Sequence, residues 1–222
     1  MINIDLPDNK SIIVFSSFRT RSTALCDWIA QEKGLTNFDE AFLYVEHAIS
    51  FVNFINRSSG NFVAKVMCSS HQYTPEIQQF LQPLLNQCTL IRLHRRNVFA
   101  QITSFYCAVK TQQWHFVKKY TDDRYPLFSE DCFTGEIPIN IAELKNAAIS
   151  ILTTNQRLQA INTRFDLELV SEDLGVLPSN FQVIPSLANQ NQLNTALQTL
   201  IDSDEEVGNL YHNRQDFSHF GK

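Results

Sequence analysis

Short apolar runs separated by segments of helical character constrain the fold of this chain more than any other feature. The runs are predicted strands at 11–16, 62–67, 88–93 and 167–170. The intervening and following segments are predicted helices at 22–33, 41–56, 74–86, 97–119, 139–162, 192–201 and 204–211. Alternation at this spacing is typical of an α/β fold in three layers, in which a parallel sheet carries helices on both faces.

Length and composition indicate one globular domain over residues 1–222 with little net attraction for polyanions. The chain is 44% hydrophobic and only 18% charged, and its formal net charge is −5. A protein that binds nucleic acid through phosphates normally carries a basic footprint, so we expect no nucleic-acid partner. The scarce, clustered positive charge favours a small anionic ligand.

Cysteine usage and hydropathy indicate a cytoplasmic protein without a transmembrane segment. The five cysteines have no C-x-x-C pair and no metal-ligand spacing, which predicts free thiols and no metal site. No apolar run reaches the roughly 18 residues of a membrane span, and the first residues lack the pattern of a signal peptide.

The first predicted strand ends in a basic turn rich in hydroxyl groups. It reads FRTRST over residues 18–23 and leads into the first helix. Hydroxyl side chains and the N–H groups of a helix start bind anions. The loop G-x-x-x-x-G-K-[ST] is absent, because this turn contains neither Gly nor Lys, which disfavours an ordinary nucleoside-triphosphate kinase or ATPase. Taken alone, the turn fits equally well as a simple helix cap with Arg19 and Arg21 in solvent.

A second basic turn follows the third predicted strand. Arg95, Arg96 and Asn97 stand at a helix start, and Ser104 follows Arg96 after eight residues. Eight residues advance a helix by about 12 Å, roughly two turns, so a long arginine and the serine hydroxyl could reach one phosphate together. Cations at a helix start are unfavourable unless an anion is present. Ligands of parallel sheets bind beyond the carboxyl ends of the strands, so both turns are expected at one edge.

The two turns together resemble the motifs of sulfotransferases that use 3′-phosphoadenosine 5′-phosphosulfate (PAPS), and among them the short, bacterial-type members. The resemblance extends over about residues 12–106. It implies a P-loop-like, nucleotide-binding sulfotransferase fold, with PAPS as the sulfuryl donor and no metal. It also implies in-line transfer to a hydroxyl or amine acceptor, such as a small molecule, a carbohydrate or a lipid.

The resemblance assigns roles to individual residues of the first turn. Arg19 matches the basic residue that contacts the bridging oxygen and the transferred sulfuryl group. Thr20, Ser22 and Thr23 match positions that hold the 5′-phosphate. Arg21 belongs to the same cofactor-binding loop, although the family usually has Gly at this position.

The second turn and the base are assigned in the same way. Arg96 and Ser104 match the pair that binds the 3′-phosphate. Glu40, in the run NFDEAF over 37–42, resembles the Glu-containing segment of bacterial-type members and leads as the base that takes the proton of the acceptor. Asp39 and Glu40 could equally favour the start of the next helix. Glu46, His47 and His71 are further candidates for the base.

Three other features of the sequence lead to expectations about single residues. Lys65, inside a predicted strand, is expected to pair with a carboxylate or reach the ligand. Glu172 and Asp173 are expected to cap structure after the last strand. Four aromatic residues either line an acceptor pocket or, in most cases, pack in the core: Tyr106, Trp114, Phe116 and Tyr120. The alternative functions are a nucleotide-dependent kinase with a degenerate phosphate loop and a non-catalytic, nucleotide-binding regulatory protein.

Overall fold

Within the residues that the computed structural model describes, five strands form one all-parallel sheet flanked by helices. The described residues are 4, 6–8, 10–58, 60–112, 114, 136–175, 177 and 188–214. The strand order is β2-β3-β1-β4-β5. The strands are β1 (Ile12–Ser16), β2 (Thr36–Asn37), β3 (Phe62–Met67), β4 (Thr89–His94) and β5 (Leu167–Val170).

Seven α-helices are found in this part of the chain. They are α1 (Ser22–Lys33), α2 (Val45–Ile55), α3 (Pro75–Leu85), α4 (Val98–Thr111), α5 (Ile141–Ala160), α6 (Gln190–Ser203) and α7 (Glu205–His212). A single 3₁₀ turn (Ser171–Leu174) follows β5. None of these helices combines the length and apolar character needed to cross a membrane.

The described residues fall into two compact units. The first contains the chain up to Arg96 and the segment that begins at Thr154, and therefore holds the whole sheet. The second contains Asn97–Thr153 and residues 188–214, with α4, α6 and α7.

The four predicted strands are confirmed within about one residue, and β2 is an additional strand. β2 has only two residues, both exposed, so it shows no apolar period from which it could be predicted. The predicted helix 41–56 starts later, at Val45, after a turn over 41–44. The prediction 97–119 was wrong about the end of α4, because Gln112 takes a left-handed conformation there. The predicted loop over 121–137 lies outside the described residues as far as 135.

Helices pack on both faces of the sheet in the first unit. On one face, β1 residues Ile13 and Phe15 share a buried cluster with α2 and α3, through residues such as Phe51 and Leu81. Side chains of neighbouring strand residues alternate between faces. Lys65 of β3 therefore points to the opposite face, where its ammonium contacts α1.

The strand order defines a switch point beside β1. From β1 the chain crosses to the β2–β3 side of the sheet, whereas from β4 it continues to β5 on the other side. β1 pairs directly with β4, from Ile12 opposite Thr89 to Ser16 opposite Leu93. In open α/β sheets, ligands bind outside the carboxyl ends of strands at such a switch point. The turns after β1 and β4 are therefore where a ligand is expected.

The second unit is held by polar contacts to backbone as well as by apolar packing. The Tyr106 hydroxyl donates to the Pro138 carbonyl at 2.6 Å and accepts from the Asn140 N–H at 2.9 Å. Between α6 and α7 the backbones come so close that a Cβ at Gly208 would lie 2.8 Å from the Ile201 carbonyl oxygen.

Replacing Gly208 with alanine is expected to destabilise the protein by about 1–3 kcal/mol, because the added methyl group forces two backbones apart. Helix propensity alone predicts the opposite sign, since alanine is favoured over glycine in a helix. Urea unfolding of the variant measures the difference. Gly60, whose Cβ position is open, is the matched control, and Gly60→Ala is expected to be neutral or slightly stabilising. A stabilised Gly208→Ala variant would contradict the close approach.

Candidate functional site

The two basic turns meet at the carboxyl ends of β1 and β4. Nη1 of Arg95, directly after β4, donates to the carbonyl oxygen of Arg19, in the turn after β1, at 2.7 Å. About four-fifths of the Arg95 side chain is buried, so this bond is largely shielded from water. The contact joins two segments that are 76 residues apart in the sequence.

The turn after β1 has an unusual backbone. Arg19 has φ 59° and Arg21 has φ 65°, values that non-glycine residues rarely adopt. Four non-glycine residues in the described part of the chain have positive φ, and Asp39 is the third of them that lies at this edge of the sheet. Strained residues of this kind cluster at ligand-binding sites. Positive φ before a helix is also typical of backbone nests, which form concavities for anions.

The start of α1 provides donors for an anion. Arg21 is the residue before the helix, and its side chain does not cap it. The first N–H groups of a helix have no partners within it. Ser22 is the first residue of α1 and is only 6% exposed. A serine hydroxyl beside the N–H groups of a helix start fits an anionic ligand.

Arg21 also connects this turn to the segment after β5. Its Nη1 and Nη2 donate to the carbonyl oxygens of Ser171 and Gly175, at 3.2 and 2.8 Å. Gly175, with φ 58° and ψ −146°, occupies a region that essentially only glycine adopts. Burial lowers the pKa of Arg21, and the Glu172 carboxylate opposes this shift. The predicted cofactor-binding residue Arg21 therefore has a structural role that its sequence position did not indicate.

Two carboxylates after β5 balance the arginines. Glu172 Oε2 accepts from the N–H of Arg96 at 2.9 Å, and its Oε1 lies 3.8 Å from Nε of Arg95. The Arg96 guanidinium donates to both oxygens of Asp173, at 3.2 and 2.8 Å, and this bond raises the pKa of Arg96. Burial lowers the pKa of Arg95, against the attraction of Glu172. All these guanidinium groups stay charged at any ordinary pH.

Glu40, the leading candidate for the base, belongs to a cluster around Lys65. The Lys65 ammonium, 2% exposed, lies 3.0 Å from Glu40 Oε1 and 3.0 Å from Asp39 Oδ1. It also donates to Thr23 Oγ1 at 2.7 Å. Burial alone would lower the pKa of Lys65, but the two carboxylates raise it above its ordinary value. The expectation that Lys65 pairs with a carboxylate is confirmed.

The remaining candidates for the base are exposed. Glu46 and His47 lie on α2, where the His47 ring contacts the ring of Tyr44, and His71 lies in the turn after β3.

Thr20 is fully buried and its hydroxyl donates to the Ser17 carbonyl at 3.0 Å. It therefore stabilises the turn from within.

Several predicted residues belong to the second unit or lie outside the described residues. Ser104 is on α4, in the second unit, so its pairing with Arg96 stays a prediction from spacing. Tyr106 is a core residue, as predicted for most of the aromatic set. Trp114 packs against Phe105 with ring centroids 5.6 Å apart. Phe116 and Tyr120 lie outside the described residues.

Sequence reasoning missed a partly buried polar network that involves the last residues of β4. Glu168 of β5 contacts His94 Nε2 at 2.9 Å and Arg92 Nη1 at 3.2 Å. Arg92 also stacks over the Phe165 ring at 4.0 Å. Arg92 and Glu168 are opposite each other in the pairing of β4 with β5. The sequence alone could not predict this contact, because it does not give the register of the two strands.

Within the described part of the chain, no group of three or more His, Cys, Asp or Glu side chains is arranged to hold a metal ion. Comparison of the sequence with models of known protein families and with curated proteins gives no match in either case.

The strained turn leads to a test of its backbone. Arg21→Ala and Arg21→Gly both remove the hydrogen bonds to Ser171 and Gly175, but only glycine adopts φ 65° without steric cost. We expect Arg21→Gly to be more stable than Arg21→Ala by about 0.5–1 kcal/mol in urea unfolding.

Asn86 provides the matched control, because it lies at the end of α3 in a right-handed conformation. There the order of the two substitutions should reverse, with Asn86→Ala more stable than Asn86→Gly. The same order at both positions would contradict the left-handed conformation of Arg21.

Proposed function

We propose that this chain is a PAPS-dependent sulfotransferase with a P-loop-like, nucleotide-binding fold. It transfers a sulfuryl group to a hydroxyl or amine of a small-molecule, carbohydrate or lipid acceptor. The proposal is carried by one observation, the bond from Arg95 to the Arg19 carbonyl, which joins two basic turns at the switch point of a parallel sheet. Free, buried thiols at Cys26, Cys68, Cys88 and Cys107 favour a cytoplasmic enzyme.

The properties of the first turn suit a phosphosulfate group better than a nucleoside triphosphate. The turn offers the Arg19 side chain, helix N–H groups and the Ser22 hydroxyl, without the lysine that reaches the terminal phosphates in kinases. Its strained residues Arg19 and Arg21 are held by bonds from Arg95 and to Ser171 and Gly175. Because the turn is already held in this conformation, it needs little reorganisation when an anion binds.

In the proposed reaction each residue acts by position and charge. Ser22, Thr23 and the start of α1 hold the 5′-phosphate, within the loop that Thr20 and Arg21 stabilise. Arg19 stabilises the negative charge that develops on the bridging oxygen. Glu40 takes the proton of the acceptor as the acceptor oxygen or nitrogen bonds to sulfur. The bond from sulfur to the bridging oxygen breaks, and its electron pair leaves with 3′,5′-ADP.

In this proposal Arg96 binds the 3′-phosphate. In the structure its guanidinium is paired with Asp173, and the two side chains are 44% and 43% exposed. Such an exposed pair is weakened by water and salt, so it competes poorly with a doubly charged phosphate. Before the ligand binds, Asp173 holds the Arg96 guanidinium at the second turn.

Ligand binding provides the first test. 3′,5′-ADP is expected to raise the melting temperature without added metal, by about 5–10 °C at a concentration of 100 times its Kd. The shift from 5′-AMP at equal concentration should be much smaller, because 5′-AMP lacks the 3′-phosphate. Thermal denaturation of the purified protein measures both.

The outcomes separate the alternative functions. Equal shifts from the two nucleotides, or a strict requirement for Mg²⁺ and ATP, would contradict the proposal and favour a kinase with a degenerate loop. Selective binding of 3′,5′-ADP without transfer from radiolabelled PAPS, across a panel of sugars, phenols, lipids and amines, would favour a regulatory protein.

Substitution of the two arginines tests which end of the nucleotide each turn binds. Arg96→Ala should weaken 3′,5′-ADP binding about 10- to 100-fold through the loss of a charge-assisted bond. Arg19→Ala should instead lower kcat on the order of 10²–10³-fold, with a smaller effect on binding. Calorimetry and initial rates measure the two effects. Arg57→Ala, at an exposed arginine after α2, is the control and should change neither. The reverse pattern would mean that the two ends are assigned backwards.

A further inference from the structure

Lys65 is the most deeply buried charged group at the site, and the proposed transfer step does not use it. It lies in the middle of β3, which pairs on one side with β1 and on the other with β2. A charged group in a central strand is costly to bury unless it is fully paired. An apolar residue would stabilise such a position at least as well, so the ammonium group needs a specific explanation.

Three oxygen atoms surround the ammonium group, one through a hydrogen bond and two through ion pairs. They are the Thr23 hydroxyl at 2.7 Å, Asp39 Oδ1 at 3.0 Å and Glu40 Oε1 at 3.0 Å. The backbone of β3 adds a further bond to the same segment, because the Lys65 N–H donates to the Asp39 carbonyl at 2.6 Å. One residue therefore contacts both the first turn of α1 and the segment that carries Glu40.

Each contact constrains a group that faces the proposed ligand. The Thr23 hydroxyl accepts from Lys65, so its own proton is left to be donated elsewhere, as phosphate binding requires. Glu40 uses Oε1 for Lys65, which leaves Oε2 to accept a proton, and its side chain is about one-third exposed. Asp39, with φ 40° and its N–H bonded to Asn37 Oδ1 at 2.8 Å, fixes the backbone just before Glu40.

We propose that Lys65 is a positioning residue of the transfer reaction. It orients the Thr23 hydroxyl as a phosphate donor and the Glu40 carboxylate as a proton acceptor, and holds the two at a fixed separation. This inference rests on the proposed function. A purely structural ion pair would stabilise the protein but would not couple to both groups.

A double-mutant cycle in 3′,5′-ADP binding tests the contact with Thr23 without any acceptor. Lys65→Met and Thr23→Val are each expected to weaken binding about 3- to 10-fold. If Lys65 acts through Thr23, the double variant should bind no more weakly than the weaker single variant. Additive losses, or no loss for Lys65→Met, would overturn this half of the proposal.

A second cycle, in kcat, tests the contact with Glu40. Glu40→Gln and Lys65→Met are each expected to lower kcat about 10²-fold or more with radiolabelled PAPS and the best acceptor of the panel. Their combination should be no slower than Glu40→Gln alone within about 3-fold, because groups that act as a unit are not additive. A multiplicative loss would show that Lys65 does not act through Glu40.

Lys145 in the second unit provides the matched control. Its ammonium also faces two carboxylates, Asp204 at 2.7 Å and Glu206 at 3.6 Å. Lys145→Met should change neither kcat nor 3′,5′-ADP affinity. Should Lys65→Met fail to fold, Lys65→Gln, which keeps a shorter polar side chain, replaces it in both cycles.

The proposed function and the role of Lys65 would be contradicted by different results. Wild-type protein that neither binds 3′,5′-ADP selectively nor transfers sulfuryl would overturn the function and this inference with it. Wild-type protein that does both, with additive cycles, would leave the function standing and overturn the role of Lys65 alone.

Discussion

The parallel pairing of β1 with both β3 and β4 is the constraint on which the first unit depends. All five residues of β1 are buried, so its backbone bonds must be satisfied by the two neighbouring strands. Parallel strands also end at the same edge, which brings the turns after β1 and β4 together. The bond from Arg95 to the Arg19 carbonyl is a consequence of that register.

The charges at this edge form two separate groups. Around the second turn, Arg95 and Arg96 face Glu172 and Asp173, and most of these side chains are partly exposed. Below the first turn, one buried lysine is shared between Asp39 and Glu40. The exposed group can exchange partners with a dissolved anion at little cost, whereas the buried group cannot lose a partner without leaving an uncompensated charge. The exposed group therefore suits the binding and release of an anion, and the buried group suits the fixed positioning of side chains.

Sequence reasoning succeeded where the signal is local. Four strands and the starts of α1, α3 and α4 follow from apolar runs and from capping residues such as Thr74 and Asn97, both of which accept bonds from helix N–H groups. It failed for β2, which exists only because β3 supplies its partner, and for the end of α4, where the apolar pattern runs on past Thr111. A strand of two exposed residues carries no period to detect.

The same division holds for the candidate site. The sequence by itself determined the chemical groups: basic, hydroxyl-rich turns after predicted strands, a carboxylate at Glu40 and an unusual lysine within a strand. Only the tertiary structure decided their partners. Arg21 binds the carbonyls after β5, Arg96 pairs with Asp173, and Lys65 joins Thr23 to Glu40. Local patterns depend on residues a few positions apart, whereas these contacts join segments brought together only by strand order and register, which no local pattern contains.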